Sequence, residues 1–202
     1  MLGRRHLPLV AGTVLAVPAL AVGVPAEARF RILREGSLIG THRVAFAAAE
    51  GGLTARIEVD IVVRLVGIVV FRLTHSFAET WSQGRLLLVT SRRDRNGTVA
   101  EMTARAVGGA ILVEGPEGPQ RLPADAAPLT WWDPARFAGP LFDNVTGKPL
   151  RLALSHGALP GGGVRWMASG EEESEARYAA DGTWIGWRTK AEDGSIVTYE
   201  RA

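Results

Sequence analysis

Residues 53–66 read Leu-Thr-Ala-Arg-Ile-Glu-Val-Asp-Ile-Val-Val-Arg-Leu-Val, and this stretch decides the fold class. Apolar and polar residues alternate along most of it, which is the period of an extended strand with one dry face and one face in water. The dry face consists of Leu53, Ala55, Ile57, Val59, Ile61, Val63 and Leu65. The pattern therefore predicts a long β-strand of an all-β protein.

Turn signals separate similar segments at intervals of about 8 to 15 residues. They are Glu35-Gly36-Ser37, Glu50-Gly51-Gly52, Gly67, Gln83-Gly84, Asn96-Gly97, Gly108-Gly109, Asp181-Gly182 and Asp193-Gly194. Such spacing predicts an antiparallel meander of about ten to twelve strands. Because long strands twist, we expect the meander to coil into a barrel or half-barrel that hides its dry face.

One region departs from the strand pattern. Residues 115–140 contain six prolines and are predicted to form a loop that crosses one end of the barrel. Within it, Asp133-Pro134 is typical of a helix start, because Asp caps the first turn and Pro fits the first helical position. At most one short helix, near residues 133–138, is predicted.

The first 28 residues have the features of a cleavable signal peptide. Arg4 and Arg5 precede an apolar stretch, and Ala26-Glu27-Ala28 matches the small-x-small site of signal peptidase. Pro8 and Pro18 interrupt the helix pattern that a membrane anchor would need. We therefore expect a periplasmic or secreted protein, with both the general and the twin-arginine export routes open.

Composition limits what the remaining chain, residues 29–202, does. The sequence has no cysteine, so disulfides, lipid attachment at a cysteine and thiolate chemistry are excluded. The full sequence has a net charge of +2, without the basic surplus that nucleic-acid binding requires. The length fits a single domain.

An outer-membrane barrel is a competing architecture, because it also combines a signal peptide with alternating strands. Its lipid-facing side must stay apolar across the bilayer. In this chain, Arg92 and Asp94 fall on one face of a strand, and Arg93 and Arg95 fall on the other. Charged lipid-facing residues cost kilocalories each, so the sequence favours the soluble form.

Residues 68–81 carry the most informative polar groups. His75 and Glu79 alternate with Val69, Phe71, Leu73, Phe77 and Trp81 on the face expected to point inward. A buried carboxylate needs a partner or a wet cavity. Two interpretations stay open: Glu79 pairs with an arginine of a neighbouring strand, or it contacts a ligand. His75 and Glu79 lie roughly 13 Å apart along the strand, too far to act as a dyad.

Trp131 and Trp132 are adjacent tryptophans in the proline-rich segment. Aromatic side chains at a barrel mouth can grip an apolar ligand, and they can equally close the barrel end as core. For ligand binding we select His75, Glu79, Trp81, Trp131 and Trp132.

We predict no catalytic residues, no metal and no cofactor. The histidines lack paired ligand spacing such as H-x-x-x-H. Ser155 and His156 are neighbours and would point to opposite faces of a strand. Residues that are distant in sequence can still converge, so an enzyme stays a third hypothesis.

Several motifs together resemble a known family. They are Glu35-Gly36-x-x-Ile39-Gly40-Thr41-His42, Gly67-Ile68, His75-x-x-x-Glu79-x-Trp81, Gly84-Arg85-Leu86, Thr130-Trp131-Trp132 and residues 141–147. They resemble a family of exported proteobacterial proteins described as a domain of unknown function. More loosely, the chain is similar to the periplasmic lipoprotein-carrier half-barrels, which enclose acyl chains. The resemblance implies a β-rich fold and assigns no functional residue.

These observations give two hypotheses of different class. The first is a periplasmic binding or carrier protein whose interior holds an apolar or amphipathic molecule of the lipid or isoprenoid class. The second is a ligand-free structural or interaction module of the cell envelope, with a protein partner at a strand edge or loop.

Overall fold

The computed structural model describes residues 26–49 and 51–202. This part of the chain forms fifteen β-strands and one short 3₁₀ helix. The strands are β1 (Ala28–Arg34), β2 (Ser37–Ala49), β3 (Gly52–Leu65), β4 (Ile68–Ser82), β5 (Arg85–Arg95), β6 (Thr98–Val107), β7 (Ala110–Glu114), β8 (Gln120–Pro123), β9 (Ala127–Pro128), β10 (Leu141–Phe142), β11 (Leu152–Ala158), β12 (Val164–Gly170), β13 (Ser174–Tyr178), β14 (Trp184–Lys190) and β15 (Ile196–Arg201). In the described residues, no helix is long and apolar enough to span a membrane.

Thirteen strands form one antiparallel sheet in the order β11-β12-β13-β14-β15-β1-β2-β3-β4-β5-β6-β7-β8. The order follows the chain in two runs, which are joined where the first strand pairs with the last, as in Phe30 opposite Arg201. The outer strands β8 and β11 do not pair, so the sheet is an open half-barrel. The predicted all-β meander is confirmed, with one strand more than the upper end of the expected range.

Tight turns connect the long strands. Glu35, Val66, Gln83 and Asn96 have positive φ angles between 46° and 53°, and a glycine with positive φ follows each one. Two successive residues with positive φ are typical of type I′ turns, whose twist matches that of the flanking strands. The chain therefore reverses within two residues at each of these sites.

The strand register arranges the inward side chains in rows that run across the sheet. One row joins Phe46, Ala55, Glu79, Val89, Ala104 and Val113. A second row joins Val44, Ile57, Phe77, Ser91 and Met102. A third joins Phe30, His42, Val59 and His75. Most of these side chains are buried and form one hydrophobic core.

A crossing segment, residues 124–151, runs from β8 to β11 and packs on the inward side of the sheet. Leu129, Trp131, Phe137 and Phe142 from this segment are buried in the same core as the strands. The short helix Pro134–Ala138 lies within it, as predicted, and Asp133 Oδ1 caps it by accepting from the Ala135 N–H at 3.1 Å. The interior of the half-barrel is therefore largely filled by the chain itself.

The predicted loop at residues 115–140 differs from the structure in one respect. Strand β8 lies inside that range and pairs with β7, with Leu122 opposite Ile111. Prolines are tolerated there because β8 is an edge strand and Pro123 can occupy a position that needs no ladder donor. Proline content alone thus made this region look less regular than it is.

The predicted signal peptide lies mainly outside the described residues, since residues 1–25 are not among them. Ala28, the last residue of that prediction, is the first residue of β1 and pairs with Val44. Cleavage and export stay predictions.

A tight turn after β10 fixes the crossing segment against the sheet. Asp143 Oδ1 accepts hydrogen bonds from the backbone N–H groups of Val145 and Thr146, at 3.0 and 2.6 Å. Gly147 follows with a φ of 77°, and a Cβ atom at this position would lie 2.2 Å from Cγ1 of Val113. The turn can approach the sheet this closely only because residue 147 has no side chain.

Replacement of Gly147 by alanine tests this contact. We expect Gly147→Ala to lower the free energy of unfolding by about 2–4 kcal/mol, because it adds overpacking to the cost of positive φ. Gly36→Ala is the matched control, since Gly36 has the same φ and no atom near the added Cβ; its loss should be about 1 kcal/mol. Urea denaturation measures both, and equal losses would show that residue 147 is not closely packed.

Candidate functional site

Glu79 lies at the junction between the sheet and the crossing segment, and it is fully buried. Its Oε2 atom accepts a hydrogen bond from the indole N–H of Trp81 at 2.8 Å, on the same strand. The same oxygen accepts from the indole N–H of Trp132 at 3.2 Å, in the crossing segment. One carboxylate oxygen therefore links the two parts of the fold.

The residues around Glu79 explain its burial. Its neighbours on the adjacent strands are Ala55 and Val89, which are small and fully buried. Burial raises the pKa of Glu79 from 4.5 to about 7, although hydrogen bonds from Trp81, Trp132 and Thr130 and the charge of Arg136 favour the ionised form. The carboxyl group thus changes its charge near neutral pH.

The guanidinium group of Arg136 packs on the ring of Trp81. Its guanidinium carbon lies 3.9 Å from the centre of the Trp81 ring, and its Nη1 atom donates to the carbonyl of Gly84 at 2.6 Å. Its Nε atom lies 2.9 Å from Asp133 Oδ2. The arginine joins the short helix to the β4–β5 turn and holds the tryptophan ring in place.

A cavity of about 170 Å³ lies between the third inward row and the crossing segment. Aromatic and aliphatic side chains form most of its wall, and a few polar groups interrupt them. The lining residues are His42, Val44, Ile57, Val59, His75, Phe77, Leu129, Thr130, Trp131, Trp132, Asn144, Glu172, Trp184, Trp187 and Tyr199.

His75 is a satisfied part of this wall. Its Nε2 atom lies 2.9 Å from the hydroxyl oxygen of Ser91, and its ring stacks on Phe77 at a centroid distance of 4.7 Å. Burial, and next the charge of Arg93, lower the pKa of His75 to about 4. The imidazole is therefore neutral at physiological pH.

His42 has no comparable partner. Both of its ring nitrogens are buried and without a hydrogen bond in the described part of the protein, as is the indole nitrogen of Trp187. Its ring lies edge-on to Trp184 and Tyr199, at centroid distances of 5.3 and 5.2 Å. Burial, with a smaller effect of His75, lowers the pKa of His42 to about 3. The cavity wall thus contains unpaired donors and acceptors.

The five residues selected from the sequence divide into two groups. His75, Trp131 and Trp132 line the cavity. Glu79 and Trp81 do not; they lie behind Trp132, in the polar contact just described. Glu79 is a core residue, as one interpretation held, but the donors to its Oε2 atom are two tryptophans and not an arginine of a neighbouring strand, and its Oε1 atom has no hydrogen-bond partner in the described residues.

The other side of the cavity is formed by residues that were not predicted from the sequence. Trp184, Trp187 and Tyr199 come from β14 and β15, and Glu172 precedes β13. His42 appears in a family motif but is not among the residues selected for ligand binding. A usable signal was present, because His42 lies two residues before the buried Val44 on β2 and so shares its face. The pairing of β15 with β1, which brings the two sides together, is not visible in local sequence.

Substitution of Glu79 tests the buried charge. The pKa of Glu79 is about 7 in the fold and 4.5 for an exposed group. Between pH 4.5 and pH 7 the folded state therefore binds more protons than the unfolded chain. As the pH rises through this range, the carboxylate destabilises the fold. Glutamine cannot ionise, so we expect the stability of Glu79→Gln relative to the native chain to increase by about 2–3 kcal/mol from pH 5 to pH 8.

Denaturation at both pH values measures this gain. Glu79→Leu is the companion variant: it is also neutral, but it leaves both indole N–H groups without an acceptor, so it should be less stable than Glu79→Gln at each pH. A stability difference between Glu79→Gln and the native chain that does not change with pH would contradict the raised pKa of Glu79.

Two solved structures are similar to this chain. The chain is similar to the crystal structure of a "beta-barrel-like protein of domain of unknown function DUF1849" from Brucella abortus, with a TM-score of 0.62 and 11% identity over 89% of this chain and 96% of that one. It is also similar to a DUF1089 family protein from Pseudomonas aeruginosa, with a TM-score of 0.44 and 11% identity over 86% and 95% of the two chains.

The first likeness supports the half-barrel architecture and, at this identity, nothing beyond it. No curated protein matches the chain. The model of one protein family matches residues 30–202, which is nearly the whole of the described sheet. The resemblance to an uncharacterised family is confirmed: the chain belongs to the family described as Domain of unknown function (DUF6134).

Proposed function

We propose that this protein is a binding or carrier protein for an apolar or amphipathic ligand of the lipid or isoprenoid class, acting in the periplasm or outside the cell. The site is the cavity between the sheet and the crossing segment. An aromatic wall with a few polar groups is typical of small-molecule sites, in which the apolar surface supplies affinity and the polar groups fix orientation.

The unpaired imidazole of His42 carries the proposal. A neutral imidazole has one donor and one acceptor nitrogen, and a buried polar atom without a partner costs about 1–3 kcal/mol. Both ring nitrogens of His42 and the Trp187 indole nitrogen are in this condition on the same cavity wall. A ligand oxygen that bonds to these atoms would remove the penalty.

The electrostatics of the wall favour a neutral ligand oxygen. Both histidines that line the cavity are uncharged at neutral pH, since burial lowers their pKa values to about 3 and about 4. The cavity wall, as far as the structure describes it, contains the acidic Glu172 and no lysine or arginine. A carboxylate or phosphate would find no counter-charge there, so we infer a hydroxyl or carbonyl group.

The volume sets the size of the bound group. A cavity of about 170 Å³ is close to the engineered cavity of about 150 Å³ that binds benzene, and it is smaller than the usual pocket for a whole ligand. It accommodates one ring or a short branched chain. The rest of a longer isoprenoid or lipid would extend out of the cavity.

The alternative is the ligand-free envelope module. One observation favours it: the crossing segment already fills much of the interior with Trp131, Phe137 and Phe142. In that case water occupies the small cavity and bonds to His42, and function depends on the outer surface. The two proposals differ in whether an apolar alcohol binds in the cavity.

Titration with two matched probes separates them. Farnesol and the hydrocarbon farnesene share a branched chain and differ in one hydroxyl group. We expect farnesol to bind about ten-fold more tightly, because its oxygen bonds to otherwise unpaired groups. Quenching of tryptophan fluorescence reports binding, since Trp131, Trp132, Trp184 and Trp187 line the site.

Two histidine variants serve as test and control. His42→Leu should remove the preference for farnesol, because the variant has no ring nitrogen to pair. His156→Leu should retain it, because His156 is exposed and lies outside the cavity wall. If neither probe binds the native chain, or if His42→Leu keeps the ten-fold preference, the carrier proposal is wrong and the ligand-free module is favoured.

A further inference from the structure

Strands β3 and β4 extend beyond their neighbours at one end of the sheet. The ladder between β2 and β3 ends at Gly40 opposite Ile61, and the ladder between β4 and β5 ends at Leu73 opposite Arg95. Residues 62–72 therefore form a ribbon whose two strands pair with each other and with no third strand; Arg72, at its base, also bonds to Asn96 in the β5–β6 turn. The β3 side contributes four residues and the β4 side five, so the ribbon extends by roughly 13 Å. We call this segment the projecting ribbon.

The projecting ribbon is apolar on both faces. Its exposed side chains include Leu65, Val66, Ile68, Val69 and Val70, and Val66 is 94% exposed. Successive residues on a strand point to opposite faces, so Ile68, Val69 and Val70 cover both sides. A docking site in a protein groove would need one apolar face, whereas a tip that is apolar all round suits a hydrocarbon medium.

The turn at the tip holds an unfavourable residue. Val66 has a φ of 49°, in the left-handed region, which is a clear outlier for a β-branched side chain. The equivalent positions in three other turns are Glu35, Gln83 and Asn96, all polar. Asparagine at residue 66 would fit this backbone better and would not expose an apolar side chain to water. Backbone strain of this kind points to a use for the exposed side chain.

Positive charge lies directly behind the tip. Arg64 and Arg72 are the ionised residues of the projecting ribbon, and its sequence contains no acidic residue. Neither arginine takes part in an ion pair within the described residues. In the ladder between β3 and β4, Arg64 lies opposite Val69, two residues before the turn. Long basic side chains at this depth reach the headgroups while the tip enters the acyl region.

We propose that the projecting ribbon docks the protein onto the surface of an anionic lipid bilayer. Leu65, Val66 and Ile68 enter the outer acyl region, to a depth of about 5–10 Å, and Arg64 and Arg72 contact the anionic headgroups. A second copy of the chain is a poorer occupant, because its ribbon carries the same positive charge. The docking surface is separate from the cavity and stands whether or not the cavity holds a ligand.

Vesicle flotation tests the proposal with the chain from Ala26 to Ala202, which contains all fifteen strands. The probes are vesicles of phosphatidylglycerol with phosphatidylethanolamine, and vesicles of phosphatidylcholine alone. We expect the native chain to bind the anionic vesicles preferentially. Val66→Asn should weaken that binding about ten-fold, because it removes one immersed apolar side chain. The same variant should be at least as stable as the native chain, so misfolding does not explain the loss.

Matched variants complete the experiment. Val107→Asn, which replaces an exposed valine at the opposite end of the sheet, should bind like the native chain. Arg64→Gln together with Arg72→Gln should remove the preference for anionic vesicles. Failure of the native chain to bind either vesicle, or equal binding by Val66→Asn, would overturn the proposal. Self-association without vesicles that Val66→Asn abolishes would also overturn it, in favour of a second copy.

Discussion

The fold depends on one carboxylate oxygen that accepts hydrogen bonds from two indole N–H groups. Oε2 of Glu79 bonds to Trp81 on β4 and to Trp132 in the crossing segment. An open sheet leaves its inward face exposed unless another part of the chain covers it. The bond to Trp132 holds the crossing segment against the sheet, and Arg136, four residues further along, makes a second contact on the Trp81 ring. Leu129, Thr130, Trp131 and Trp132 of the crossing segment then form one side of the cavity.

The interior also contains groups whose protonation acts in opposite directions. His42 and His75 are neutral in the fold and bind protons in the unfolded chain below about pH 6.5, so their contribution to stability falls as the pH falls. Glu79 behaves oppositely, because its carboxyl group binds a proton more readily in the fold than outside it. Between pH 4.5 and pH 6.5 the two trends partly cancel. Two histidines oppose a single carboxyl group, so acidification from pH 6.5 to pH 4.5 lowers the stability of the fold overall.

Much of the fold follows from local sequence, and the site follows only in part. Alternation at residues 53–66 and the glycine turns predict the meander, and Asp133-Pro134 predicts the short helix, because these depend on neighbouring residues. Period two also places His75 and Glu79 on the inward face. The donors to Glu79 and the role of His42 depend on pairings between distant segments, such as Trp132 with β4 and β15 with β1, which no local pattern contains.

The ladder between β1 and β15 has a consequence for how the molecule is assembled. The first and last strands pair with each other in the interior of the sheet, so the two halves of the protein can join only after the C-terminal strand has been synthesised. Contacts of such high sequence separation are entropically costly to form and make folding slow. Until then β1 presents an open edge, so truncation by a few C-terminal residues would expose a strand that is prone to intermolecular pairing.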